Sequence, residues 1–275
     1  MTNSVNTNAG AMIALQNLNR TNMELEQVQS RINTGLAVSG AKDNGGIYAI
    51  AQRMRSEVSG YKAVQDSLNR AVSTVDVALA GGEAISDLLI EMKEKALASA
   101  DSSLDTASRS ALNEDFKALR DQITTIVGNA EFNGTNLINN TVSQVTALAN
   151  ADGSNTITVL DENLSLGGGI VTIAATASFA TATQADTIAS QLGTSLDNVN
   201  AALARLGTKS KALEIHSTFV TKLSDSLTEG IGNLVDADLA RESAKLQSLQ
   251  VKQQLGIQAL SIANQSPQSI LSYFR

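Results

Sequence analysis

The sequence predicts a mainly α-helical protein in which long antiparallel helices form a coiled-coil-like bundle with a small β-hairpin element. The chain has a single proline in 275 residues, and proline costs about 3 kcal/mol inside a helix, so long uninterrupted helices are favoured. Aromatic residues make up only 3% of the chain against 43% hydrophobic residues, so the core must be aliphatic. The apolar residues also recur in steps of three and four, the heptad spacing of helices that pack side by side.

Three heptad patterns lie in the central part of the chain. The first runs without interruption through Val64, Leu68, Ala71, Val75, Ala78, Gly82, Ile85, Leu89, Met92 and Ala96. After a polar break at residues 101–103, the second comprises Leu112, Phe116, Leu119, Ile123 and Ile126. The third comprises Leu192, Leu196, Val199, Leu203, Leu206, Ser210 and Leu213. We therefore expect three helices to share one core.

Both chain ends carry weaker heptads, which amide side chains interrupt. The N-terminal pattern is Ala11, Leu15, Leu18, Asn22, Leu25, Gln29 and Ile32. The C-terminal pattern is Leu239, Leu246 and Leu260, with Gln253 in the remaining slot. A helix gains most of its stability by burying an apolar face. We therefore expect both ends to be loose in the isolated subunit and to fold when a partner supplies the missing surface.

The segment between residues 133 and 186 has no heptads and is rich in Thr, Ser, Asn, Gly and Ala. It contains two β-favouring runs, residues 156–160 and residues 170–173, each next to glycine-containing turns. This composition predicts a small β element that projects outward from the helices.

The net charge of −7 is concentrated in the middle of the chain. Residues 121–204 contain seven acidic residues and no Lys or Arg, whereas the flanking arms are almost balanced. This distribution favours termini that pack against themselves or against copies of the chain. The scattered basic residues argue against a nucleic-acid partner. No apolar run reaches membrane-spanning length, and the N-terminus does not resemble a cleavable secretory signal, so we expect neither a membrane partner nor classical export.

The residue inventory argues against catalysis. With no Cys and one His, thiol chemistry, zinc–cysteine sites and histidine metal sites are excluded, and we expect no metal, no cofactor and no enzyme activity. Ser39 with Lys42, and Ser59 with Lys62, have the spacing of a serine nucleophile and a lysine base, but the companion motifs are missing. His216 is interpreted as a surface or interface residue. Three acids are interpreted as a helix start rather than a cation site: Asp236, Asp238 and Glu242.

The two ends of the chain together resemble bacterial flagellin. The matching blocks keep the order of that family: SVNTN at residues 4–8, ALQNL at 14–18, RINTGL at 31–36, AKD at 41–43, EFNGTNL at 131–137, NLVDADLA at 233–240, LGIQAL at 255–260, and ANQSPQ at 263–268 followed by Leu271 and Arg275. Because only about fifty residues separate the two matching regions, the chain resembles the short, two-domain flagellins without large outer domains.

The resemblance implies a structural subunit that is exported unfolded by the flagellar type III apparatus and polymerises into the filament used for swimming. It implies an inner terminal coiled-coil domain from residues 1–43 and 236–275, and an outer helical shell from residues 44–235 with its β element at about 133–186. The implied partners are further copies of the chain, an export chaperone, the export gate, and the hook–filament junction and cap proteins. The implied location is the extracellular filament.

We predict that eight apolar residues of the two ends mediate assembly, and we call them the polymerisation seam: Leu15, Leu18, Leu25, Ile32, Leu246, Leu249, Leu255 and Leu260.

The chain departs from the family at three places. It has Ala37 where the family commonly has Arg, and the run DNGG at residues 43–46, whose glycines suggest extra flexibility between domains. It also has Glu91 and Lys95 where flagellins recognised by the vertebrate innate receptor carry Arg and Leu. We therefore expect weak or absent activation of that receptor.

Two alternatives remain open. A hook–filament junction protein or other axial adaptor would share the terminal heptads but occupy only a few sites instead of polymerising. An enzyme housed in residues 133–186 is the second, although that stretch lacks His, Cys, Lys and Arg.

Overall fold

The computed structural model describes residues 7–271, and the side chains of residues 7–265. In chain order these residues form helices α1 (Ala9–Thr34), α2 (Gly45–Ser99) and α3 (Thr106–Asn129), strands β1 (Gln144–Leu148) and β2 (Thr156–Leu160), and helices α4 (Ala182–Val235) and α5 (Leu239–Leu271). The prediction of a mainly helical fold with a small β-hairpin is confirmed. None of the helices within residues 7–271 has the continuous apolar stretch that a membrane-spanning helix requires.

The chain divides into two compact units. Unit 1 consists of residues 1–56 and 226–275, and unit 2 of residues 57–225. The boundaries predicted from the sequence, after residue 43 and before residue 236, coincide with the loops that precede α2 and follow α4. As boundaries between domains they stay a prediction. The first residues of the opening block at 4–8, the side chain of Leu271, and Arg275 lie outside the described residues.

In unit 1, helices α1 and α5 pack against each other and run antiparallel. The Asn8 side chain donates to the Ala263 carbonyl at 2.6 Å near one end of the pair. Arg31 contacts Glu242 near the other end, with an N–O distance of 3.1 Å. The predicted pairing of the two terminal helices is confirmed. Their predicted looseness in the isolated subunit is a statement about solution behaviour and stays a prediction.

Local capping explains where these two helices begin and end. Asn8 Oδ1 accepts from the Ala11 backbone N–H at 3.0 Å and so caps the start of α1. At the other end Gly35 has a φ of 72° and donates to the Arg31 carbonyl, a left-handed conformation that glycine adopts without strain. Asp238 accepts from the backbone N–H groups of Ala240 and Arg241 at the start of α5. The interpretation as a helix start is therefore correct for Asp238, and Glu242 lies in the first turn of α5 as expected.

In unit 2, the longest predicted heptad lies in the core. All ten of its positions, from Val64 to Ala96, are buried. Helix α4 approaches α2 closely where Gly82 meets Leu203, since a β-carbon at Gly82 would lie 2.6 Å from Leu203 Cδ2. Phe116 and Ile123 of α3 are also fully buried. The three central heptads therefore contribute to one core, as the spacing predicts.

The segment that follows α3 turns back at an Asn-Gly pair. Asn133 and Gly134 have φ values of 52° and 76°, and Phe132 and Thr135 on either side exchange backbone hydrogen bonds. Asparagine followed by glycine suits such a turn because both residues tolerate positive φ. The buried Asn136 then donates to the Val127 carbonyl at 2.7 Å, which ties the turn to the end of α3.

The β-hairpin differs from the prediction in its first strand. Residues 156–160 form β2 as expected, but β2 pairs antiparallel with β1, residues 144–148, and not with residues 170–173. The latter run forms no strand because side chains of α4 take its backbone groups: Ser195 Oγ accepts from Thr172 N at 3.0 Å and Asn198 donates to the Ile170 carbonyl.

The segment between residues 133 and 186 also does not project outward as a separate element. Leu160 is exposed, but eight apolar side chains of the segment are buried in the core of unit 2: Leu137, Ile138, Ala147, Val159, Leu164, Val171, Ile173 and Phe179. The low density of apolar residues in the sequence conceals this packing, because only some of them, spread over the whole segment, contribute to the core.

Candidate assembly surface

The polymerisation seam divides into two groups in the structure. Leu249 is 2% exposed within the α1–α5 pair. Leu18 lies against Gly256 of α5, where an added β-carbon would come within 3.2 Å of Leu18 Cδ1. Four other seam residues are half-buried: Leu25, Ile32, Leu246 and Leu260. By contrast, Leu15 and Leu255 are 48% and 57% exposed. The structure therefore brings together most of the seam inside one subunit and leaves two leucines on the surface.

Two of the three amides that interrupt the terminal heptads, Asn22 and Gln253, bond to each other, whereas Gln29 is exposed. Gln253 Nε2 donates to Asn22 Oδ1 at 2.8 Å across the α1–α5 pair. A polar side chain at a heptad position lowers the stability of a helix pair but fixes its register, because any shift of one helix along the other leaves that side chain without a partner. The pair therefore specifies one alignment of α1 on α5.

The junction at the end of α1 is held by a largely buried ion pair. The Glu242 side chain is 11% exposed and that of Arg31 is 27% exposed. Arg31 Nη1 donates to Glu242 Oε1 at 3.1 Å, while Arg31 Nε and Glu242 Oε2 are buried without a partner. Beside this pair, the Ala37 N–H donates to the Val235 carbonyl and the Ala237 N–H to the Gly35 carbonyl. These bonds fix how the loop after α1 meets the start of α5.

Helix α5 has a second apolar face that the heptad analysis missed. Val251, Leu255 and Ile262 are each more than half exposed. At about 100° per residue these three lie in one stripe, roughly opposite the stripe of Leu246, Leu249 and Leu260 that faces α1. Their spacing of four and seven residues could have revealed the stripe. A helix that is apolar on two opposite sides gains stability when the second side is also covered.

Helix α1 also exposes apolar side chains: Met12, Ile13, Leu15 and Met23. Sequence reasoning assigned only Leu15 to assembly, because the other three fall outside the heptad positions. Together with the second face of α5, they give unit 1 an apolar surface of the kind that marks protein–protein contacts.

Unit 2 carries two smaller exposed apolar pairs. Ile90 and Leu97 are one heptad apart on α2, and Ile215 and Phe219 are one turn apart on α4. The two positions of the predicted receptor departure lie beside the first pair: Glu91 is exposed and Lys95 is half-buried.

Ser39 and His216, two of the residues considered above for chemistry, have structural partners. The Ser39 hydroxyl donates to Asp43 Oδ2 at 2.9 Å, and this bond, with backbone donors from Ser39 and Gly40, lowers the pKa of Asp43. His216 Nε2 lies 2.8 Å from the Ala149 carbonyl, which accepts from it and so ties α4 to the hairpin. Within residues 7–271, no group of three or more His, Cys, Asp or Glu side chains is placed to hold a metal ion.

Comparisons with known proteins place these surfaces in context. Residues 5–143 match the model of the bacterial flagellin N-terminal helical region, and residues 189–274 match that of the C-terminal helical region. The chain is 58% identical over 273 residues to flagellin FljM of Caulobacter vibrioides, covering 99% of both chains. It is 36% identical over 292 residues to a flagellin of Brucella melitensis, with the same coverage of both.

A solved structure of low sequence identity resembles the fold. A putative flagellar hook-associated protein from Vibrio parahaemolyticus superposes with a TM-score of 0.57 at 15% identity, covering 70% of this chain and 100% of that one. At this identity the likeness concerns the fold alone.

Proposed function

The chain belongs to the bacterial flagellin family, and from that premise we propose that the outward faces of α1 and α5 are the surfaces through which its copies join. As a flagellin it is a structural subunit that polymerises into the extracellular flagellar filament and serves motility. What remains to be assigned is which of its residues make the contacts between subunits.

The two-sided character of α5 is the observation that supports this assignment. One stripe of α5 covers α1 within the same chain, and the stripe of Val251, Leu255 and Ile262 is exposed. A second copy of the chain is the natural cover, since a filament supplies identical neighbours at every position. Each of these side chains would gain about 1 kcal/mol from burial of its exposed half. Many such contacts add up along one filament, which offsets the entropy lost on ordering.

In this proposal the polymerisation seam has two roles, one within the subunit and one between subunits. Leu18, Leu25, Ile32, Leu246, Leu249 and Leu260 hold the terminal pair together, and Leu15 and Leu255 contact neighbouring subunits. The paired ends, residues 1–43 and 236–275, form the inner domain of the filament, and residues 44–235 form its outer shell.

The route to the filament is part of the same proposal. The chain leaves the cell unfolded through the flagellar type III apparatus, with an export chaperone, the export gate, and the cap and hook–filament junction proteins as further partners. The exposed Glu91 and the ammonium of Lys95 would weaken contact with the vertebrate innate receptor, and a potent response of reporter cells to the purified subunit would contradict that expectation.

A pair of aspartate substitutions in α5 tests the assignment. Leu255→Asp places a charge on the outward stripe, so we expect a subunit with normal helix content by circular dichroism that fails to elongate filament seeds. Leu249→Asp places the charge inside the α1–α5 pair, so we expect it to abolish elongation as well and to remove whatever helix content the paired ends contribute to the free subunit. Gln250→Asp is the matched control, because residue 250 is exposed and lies off both stripes.

Electron microscopy of the seeded reactions separates the possibilities. Elongation by Leu255→Asp at the wild-type rate would contradict the assignment of the outward stripe. A wild-type subunit that adds only a terminal layer to the seeds would favour the axial adaptor over the filament subunit.

A further inference from the structure

Methionine is the only sulfur-containing residue type in this chain, which has five Met and no Cys. Among the described residues its environments differ sharply. Met12 and Met23 of α1 are 65% and 63% exposed, whereas Met92 is 0% exposed in the core of unit 2. Met54 is half-buried, and its Cε would lie 3.0 Å from a β-carbon added at Gly230. Oxidants that react with thioethers therefore reach Met12 and Met23 first.

The two exposed methionines share one face of α1. They are eleven residues apart, which at about 100° per residue places them within roughly 20° of each other and about 16 Å apart along the axis. Leu18 and Leu25 lie on the face of α1 that packs against α5, and the two methionines lie on a different face, which points away from α5. The exposed amides Gln16 and Asn19 lie on the same side, so the thioethers are its main apolar groups.

We propose that Met12 and Met23 form an oxidation-sensitive site on the assembly surface of α1, which peroxides modify in the free subunit and which the filament protects. This inference rests on the proposed function, because it requires the outward face of α1 to be covered by a second copy of the chain. In each reaction a sulfur lone pair attacks one peroxide oxygen. The S–O bond forms as the O–O bond breaks, the thioether is oxidised to a sulfoxide, and hydrogen peroxide is reduced to water.

The product is incompatible with the proposed contact. A sulfoxide is a strong hydrogen-bond acceptor, and it replaces a flexible apolar group that fits many surfaces. Burying it against a neighbouring subunit without a donor weakens the contact by about tenfold per sulfoxide. The α1–α5 pair itself does not include these two side chains, so the oxidised subunit should keep its fold while losing its ability to join a filament.

The first measurement compares oxidation in the two states. Wild-type subunits and wild-type filaments are treated with hydrogen peroxide, and the oxygen gained by each methionine is mapped by peptide mass spectrometry. In the free subunit we expect Met12 and Met23 to react at least about tenfold faster than Met92, because burial excludes the oxidant. In the filament we expect both to slow by about tenfold or more. Equal rates in subunit and filament would overturn the proposal.

The second measurement concerns assembly. Met12→Leu combined with Met23→Leu keeps apolar, helix-favouring side chains that peroxide does not oxidise, and Met92→Leu is the matched control. After peroxide treatment we expect wild-type and Met92→Leu subunits to lose seeded elongation by about tenfold or more, and the double variant to retain it. The double variant keeps Met1, Met54 and Met92, so an equal loss of elongation in that variant would show that oxidation at another residue is responsible and would overturn the proposal.

The untreated reactions distinguish this inference from the proposed function. If untreated wild-type subunits do not elongate seeds, the assembly function itself fails. If untreated and peroxide-treated wild-type subunits elongate equally well, only the oxidation-sensitive site is refuted.

Discussion

Two glycine-to-alanine substitutions in unit 2 should have opposite effects on stability. Gly60 of α2 faces the loop of the β-hairpin: a β-carbon there would lie 2.8 Å from both Cβ and the carbonyl oxygen of Ala151, and 3.2 Å from its Cα. Gly207 of α4 has no such neighbour within 4 Å. Both glycines lie inside long helices, so the change in helix propensity is the same for the two variants.

The expected magnitudes follow from these distances. Alanine in place of a helical glycine stabilises by about 0.5–1 kcal/mol. At Gly207 this is the whole effect. At Gly60 the added methyl group must displace backbone, and overpacking of this kind costs about 1–3 kcal/mol. The loop cannot move away freely, because the Ala149 carbonyl accepts from His216 at 2.8 Å and the Leu148 N–H donates to Ser67 Oγ at 3.2 Å. We therefore expect Gly60→Ala to destabilise by about 1 kcal/mol.

Urea unfolding of purified subunits, followed by circular dichroism, measures both effects on the same scale. The two variants should differ by about 2 kcal/mol in the free energy of unfolding. If Gly60→Ala stabilises the subunit as much as Gly207→Ala does, the hairpin loop does not press on α2 and the packing derived from these distances is wrong.

Two further predictions concern charged groups. Burial raises the pKa of Asp161, and its Oδ1 is buried without a partner. The ionised carboxylate therefore destabilises the fold at pH values above this raised pKa. As the pH falls through the raised pKa, the carboxylate is protonated and the destabilisation disappears. Asp161→Asn should therefore raise the urea midpoint at neutral pH and have little effect in strong acid; the same gain at both pH values would contradict the reasoning. Arg31→Met should cost about 2 kcal/mol because it leaves Glu242 buried without its partner. Adding Glu242→Leu should restore part of that loss, and strictly additive effects in the double-mutant cycle would contradict the pairing.

The periodic parts of the fold could be predicted from the sequence. The heptad from Val64 to Ala96 is buried at every position. Its apolar residues all lie on one face of α2, so only one orientation of the helix buries them. The chain ends were harder to interpret, since α5 carries two stripes and a heptad pattern selects only one of them. The heptad pattern therefore does not reveal the exposed stripe at Val251, Leu255 and Ile262, which we propose as an assembly surface.

The β element shows a different limit. Residues 170–173 have the composition of a strand, but Ser195 and Asn198 of α4 bond their backbone groups. Residues 144–148, which do form β1, carry a weaker pattern. Strand pairing depends on which partner the tertiary structure brings near, and local composition does not encode that choice. The hydrogen bond between Asn22 and Gln253 also depends on tertiary structure. The heptads identify both amides, but they do not show that the two lie opposite each other across α1 and α5.

The pairing of α1 with α5 also determines when the subunit can finish folding. The residues joined by the Asn8–Ala263 bond are 255 positions apart, and those joined by the Asn22–Gln253 bond are 231 apart. Contacts between such distant residues form slowly, because a long loop must close before they give any stabilisation. In a chain that appears N-terminus first, α1 cannot pair with α5 until the C-terminal end of the chain is also present. Unit 1, which bears the proposed assembly surface, is consequently the last part of the subunit to become complete. A subunit that lacks the end of α5 cannot offer that surface to a neighbour.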